Sequence, residues 1–121
     1  IKQILIAPPN ASDETFAEIG KKSQGYTYLL GRAGVTGTET AVTIPASELI
    51  DKLTQYKVAP PLLGFGISTP LQVADAIQSG AAGAISGSAT VNIIAENLSQ
   101  PDAMLEKLKH FVKQMKAATH K

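Results

Sequence analysis

Apolar residues along this chain gather in short runs, and the stretches between them carry helical spacing. Ile4 to Ala7 is a continuous apolar run closed by Pro8 and Pro9, which predicts a buried strand. Ser12 and Asp13 are candidate N-caps for a helix to about Ser23, with Phe16 and Ile19 on its inner face. Tyr26 to Leu30 is aromatic and branched, a second strand. Leu49, Ile50 and Leu53 set the inner face of a helix from Pro45 to Tyr56, and Leu62 to Phe65 is a third strand.

The stretch Thr69-Pro70-Leu71-Gln72 predicts a sharp helix start. Thr69 can cap, Pro70 takes the first helical position, and Gln72 can close a capping box. Val73, Ala74 and Ile77 then point inward, and Gly80 suits a left-handed terminator. Ala84 to Ser86 is a fourth strand, followed by a helix from Ser88 to about Leu98. Pro101 opens a last helix, whose Met104, Leu105, Leu108, Phe111, Val112 and Met115 form one apolar stripe.

Strands therefore begin near residues 4, 26, 62 and 84, each followed by a helix. Nearly continuous apolar strands in such an alternation predict a parallel α/β sheet buried on both faces. Two architectures satisfy this: a small open sheet, or the parallel (β/α)4 half of a TIM (β/α)8 barrel, which needs about 250 residues. The chain has 121 residues, enough for a single domain spanning 1–121. It opens at Ile1 without Met and enters an apolar run at once, which fits a fragment of a longer chain.

Composition narrows the function. The formal net charge is +1, so bulk charge gives no footprint for nucleic acid. No cysteine is present, which excludes a disulfide framework and cysteine metal sites, and no histidine–carboxylate pair has metal-ligand spacing. No apolar run reaches the roughly 18 residues of a membrane span. A cytoplasmic protein with neither nucleic-acid nor membrane partners is expected.

Both candidate architectures bind ligands at the C-terminal ends of their strands. Those ends are rich in glycine: Gly31 to Gly37 after the second strand, Gly64 to Thr69 after the third, Ser86 to Thr90 after the fourth. Glycine lets a backbone approach a ligand closely, and a helix N-terminus offers unpaired N–H groups with partial positive charge. Each feature also has a plain reading: a turn at Gly64–Gly66, a flexible loop at Gly31–Gly37, a helix cap at Ser86–Ser88. Their convergence on one end of one sheet points to phosphate. The Ser86-Gly87-Ser88 run lacks the G-x-S-x-G of a nucleophile elbow. Arg32 can contact an anion or anchor its own loop. The lysines of the last helix and His110 fit a solvated face.

Tyr26 to Gly37 (YTYLLGRAGVTG) closely resembles the sixth strand and following loop of the tryptophan synthase α subunit family. Pro60 to Ser68 resembles its seventh strand and Gly80 to Ala89 its eighth. The resemblance covers the whole chain but only strands five to eight, the C-terminal half of the barrel. It implies a parent lyase that cleaves indole-3-glycerol phosphate to indole and glyceraldehyde 3-phosphate. It also implies a β-subunit partner, which carries the pyridoxal phosphate; none is implied on this chain.

By the same resemblance Tyr28 lies beside the substrate, Thr36 orients a catalytic aspartate, and Phe65 stands near the indole. Gly37, Gly66, Gly87 and Ser88 match phosphate donors. Retro-aldol cleavage needs carboxylates to move protons, and the family takes both from the first half of its barrel. Asp13, Glu39, Glu48 and Asp51 match neither, so no catalytic residue and no metal ligand is assigned in this chain. Two alternatives stay open: a non-catalytic half-barrel that self-associates through its open edges and binds phosphate weakly, and another phosphate-binding barrel such as indole-glycerol-phosphate synthase, against which Tyr26–Gly37 argues.

Overall fold

A computed structural model of the chain describes residues 1–31 and 46–120. In order, its elements are β1 (Leu5–Ala7), α1 (Asp13–Lys22), β2 (Thr27–Leu30), α2 (Ala46–Gln55), β3 (Pro61–Gly64), α3 (Pro70–Gln78), β4 (Gly83–Ala84), α4 (Ser88–Glu96) and α5 (Pro101–Ala117). The four strands form one sheet in the order β1-β2-β3-β4, every pair parallel.

That order decides between the two architectures. A crossover between neighbouring parallel strands is right-handed almost without exception. When each strand is added on the same side of the last, every connecting helix lands on the same face. One register row, Ala7–Leu29–Leu63–Ala84, faces the helices, and its Ala7, Leu29 and Leu63 are fully buried. Phe16, Leu49, Leu53, Val73, Ala76 and Met115 pack against that side. The adjacent row, Ile6–Tyr28–Leu62–Gly83, lies on the other face, where Ile6 is 57% exposed. The expectation of a sheet buried on both faces is thus corrected: here one face is covered and the other is open, as in a singly wound barrel segment.

The helix starts follow from local chemistry. Ser12 caps α1, its side chain accepting from the Thr15 N–H at 3.2 Å. Thr69 and Gln72 form the expected capping box, with Pro70 at the first position of α3. Gly80 takes φ +102°, the left-handed turn predicted for it. Other expectations shift. Strand β3 ends at Gly64, because Phe65 turns to φ +77° and cannot continue a strand. Strand β4 is Gly83–Ala84 rather than Ala84 to Ser86. In α3 the third buried residue is Ala76, not Ala74. Helix α4 stops at Glu96 and α2 at Gln55. The α5 stripe is only partly covered: Met115 is buried, whereas Leu105 and Val112 are exposed.

The N-terminal end of the sheet is tied by side chains. The Thr27 hydroxyl donates to the Ala59 carbonyl at 2.9 Å, and the Ala59 N–H donates to Ser23 Oγ at 2.9 Å. The Thr27 N–H donates to the Pro60 carbonyl at 2.9 Å. Glycine-rich loops occupy the opposite end. No helix among the described residues is long and apolar enough to cross a membrane.

Candidate functional site

Tyr28 sits mid-strand on the open face of β2, half-buried, with its phenol over Gly64; a Cβ at Gly64 would collide with that ring. Small size at Gly64 is therefore a packing requirement. Directly beyond it, Phe65 and Gly66 take φ +77° and +79° in succession. A left-handed residue with a side chain costs about 1–2 kcal/mol. Such strain concentrates where the chain must present something in a set direction. Phe65 is 58% exposed at this end of the sheet.

Gly66 and Gly87 share another property: nothing stands within 4 Å of where a Cβ would be on either. The space beside both backbones is open. The φ of Gly66 favours glycine, but Gly87 has φ −105° and ψ −68°, available to any residue. No packing in the structure explains why Gly87 is glycine.

The N-termini of α3 and α4 make an instructive contrast. At α3 a capping box is closed: Gln72 Oε1 accepts from the Ser68 N–H at 2.8 Å and the Thr69 N–H at 3.0 Å, and Thr69 Oγ1 accepts from the Gln72 N–H at 3.3 Å. At α4 the N-cap is Gly87, which offers no side-chain cap, and Ser88 is the exposed first residue. The first N–H groups of a helix have no intrahelical partner and carry partial positive charge. The start of α4 therefore has no side-chain cap, whereas Thr69 and Gln72 close the start of α3.

Among the residues singled out from the sequence, the structure places Phe65, Gly66, Gly87 and Ser88 beyond the C-terminal ends of β3 and β4 and at the start of α4, while Tyr28 stays mid-strand in β2 with its ring reaching Gly64. Thr36, Gly37, Arg32 and Glu39 lie outside the described residues. Ser86, legible in the sequence only as part of the fourth loop and its Ser86–Ser88 run, has a further contact: its hydroxyl donates to the Ile67 carbonyl at 2.6 Å. A contact across 19 residues leaves no periodic trace. A cavity of about 680 Å³ lies elsewhere, on the helix side of β4 toward α5, lined mainly by apolar residues such as Ala84, Phe111 and Met115. It shares Ile67, Ser86 and Thr90 with the β3 and β4 loops and the start of α4, but neither Gly66 nor Gly87 lines it. Glu18 is held below the usual carboxylate range by its hydrogen bond to Lys22 and the nearby charge of Lys21; all three are exposed on α1 and belong to no site.

The tryptophan synthase alpha chain family model matches residues 1–120. The chain belongs to that family. A relative from Francisella tularensis subsp. holarctica, a tryptophan synthase alpha chain, is 59% identical over 119 residues, 98% of this chain. One from Serratia proteamaculans is also 59% identical over the same share. Both alignments cover 44% of the relative, so this chain spans under half the length of the curated relatives it matches. Among solved structures, a chain from the tryptophan synthase α2β2 complex of Pyrococcus furiosus superposes with a TM-score of 0.72 at 28% identity. That match covers 97% of this chain and 43% of the other. Four parallel strands with their helices on one face are thus the half-barrel expected for a segment of a tryptophan synthase α chain.

Proposed function

We propose that this chain is the phosphate-gripping half of a tryptophan synthase α barrel, and that the complete α chain is a lyase cleaving indole-3-glycerol phosphate to indole and glyceraldehyde 3-phosphate. The single observation that carries the phosphate role is the uncapped start of α4 at Gly87, beside an open backbone, with the neighbouring helix already capped. The phosphate accepts from the Gly66, Gly87 and Ser88 donors, with Gly37 adding another from the preceding loop. Thr36 orients a catalytic aspartate supplied by the rest of the barrel. Tyr28 and Phe65 border the indole end, and the strained Phe65 backbone holds that ring at the mouth of the sheet. The remaining strands close over the open face, and the β subunit receives the indole.

Cleavage requires proton transfer to the leaving indole carbon and handling of charge at its nitrogen. The C-terminal loop ends described here present backbone donors, hydroxyls and an aromatic ring, and no carboxylate among Asp13, Glu48 and Asp51, all on α1 or α2, belongs to them. The 121-residue chain by itself is therefore expected to give no detectable indole from indole-3-glycerol phosphate, whereas a full-length α chain containing it turns over. Turnover by the short chain would place the acids in this half and overturn the division of labour.

A further inference from the structure

We propose that Ser86 is a positioning residue that clasps the β3 loop to the β4 loop, so that the Gly66 and Gly87 backbones converge on one anion; the inference rests on the phosphate reading above. Backbone pairing between β3 and β4 runs as far as the Ile85 N–H, which donates to the Leu63 carbonyl at 2.9 Å. Beyond that point the chains part into two loops. There the Ser86 hydroxyl continues the link, donating to the Ile67 carbonyl at 2.6 Å in a half-buried setting.

The two ends of this bond are well placed. Ile67 directly follows Gly66 and is itself anchored in the core at 4% exposure. Ser86 directly precedes Gly87, and its carbonyl accepts from Thr90 Oγ1 at 3.3 Å in the first turn of α4. The Ser86 hydroxyl thus joins the immediate neighbours of both glycines, and the Ser86 carbonyl is tied in turn to the uncapped helix. Gln72 holds the far side of the same loop through Ser68 and Thr69. Ser86 and Gln72 together hold the three residues that follow Gly66, Ile67 to Thr69, and so fix where its backbone leaves the turn. Preorganised donors bind an anion without first having to be ordered, which is where such a clasp gains affinity.

The experiment uses the full-length α chain that carries this segment, with inorganic phosphate as the probe. Affinity is read by calorimetry, and the Gly66 and Gly87 amides are followed separately by NMR. Ser86→Ala is expected to weaken phosphate binding about fivefold, the scale of one neutral hydrogen bond. The Gly66 amide should lose more of its phosphate response than the Gly87 amide does. Ser86→Thr keeps a hydroxyl and should restore both readings to within about twofold. Ser86→Cys, close in shape but a weak donor, carries the test if the alanine variant does not fold.

Parental affinity in Ser86→Ala, or equal losses at both amides, would overturn the clasp. Gly87→Val run alongside separates the two failures. If it abolishes binding while Ser86→Ala does not weaken it, only the clasp is wrong. If neither variant weakens binding, the phosphate assignment beneath it is wrong.

Discussion

Gly87→Val lowers the affinity of the full-length α chain for a phosphate ester roughly a hundredfold, equivalent to one or two charge-assisted hydrogen bonds of about 1.5–3 kcal/mol each. The magnitude comes from what a side chain would displace. Gly87 stands at the uncapped start of α4 with nothing within 4 Å of its would-be Cβ, so the volume that valine fills is the volume the ligand needs. The fold itself has little use for glycine there, since φ −105° strains no residue. Valine is a poorer N-cap than glycine, a loss of at most about 1 kcal/mol. Affinity and stability should therefore separate: weak binding, with a denaturation midpoint close to the parent's. Equal loss of both would mean that Gly87 is a packing glycine after all.

Gly20→Ala is expected to destabilise the chain by about 2–3 kcal/mol, the reverse of what helix propensity alone would give. Gly20 lies in the last turns of α1, where alanine should gain about 1 kcal/mol in an exposed helix. A Cβ at this position would run into the backbone carbonyl of Tyr56, just past the end of α2. A carbonyl cannot rotate away as a flexible side chain does, so α1 must lift off α2. Tyr56 also stacks on buried Phe16, with ring centroids 6.3 Å apart, so the displacement would reach the core. Urea denaturation of parent and variant reads the difference, and a neutral or stabilised variant would show that the approach of α1 to Tyr56 is looser than described.

The parts of this fold legible in the sequence are those governed by neighbours in the chain. Ser12, the Thr69–Gln72 box and Gly80 announce helix ends because capping is a matter of three or four residues. The strand starts were readable from apolar runs bounded by proline and glycine. What depends on distant partners was not. Whether the sheet is covered on one face or two follows from strand order, which no local pattern encodes; the exposed row at Ile6 appears only once β1 to β4 are laid side by side. The left-handed turn at Phe65 was hidden because an aromatic residue normally extends a strand.

The candidate site divides in the same way. Glycines at strand ends pointed to the C-terminal end of the sheet, where the structure places Phe65, Gly66, Gly87 and Ser88. The capped start of α3 was legible as the Thr69–Gln72 box, but the uncapped start of α4 needed the structure, since a sequence does not tell whether Ser86, Gly87 or Ser88 takes the N-cap. Gly64 reads as a ligand-approach glycine in sequence, yet its neighbour is the Tyr28 ring. Gly66 and Gly87, which the sequence treats the same way, are the ones whose surroundings are open.

Where an anion lands on the α chain is the most direct test of the phosphate role. Titrating an isotope-labelled full-length α chain with glycerol phosphate, and following every backbone amide, tests this residue by residue. Saturable shifts concentrated at Gly66, Gly87 and Ser88, with the Thr69–Gln72 amides little changed, are the predicted result. Shifts centred on the start of α3 or on the lysines of α5, with Gly87 and Ser88 silent, would contradict it.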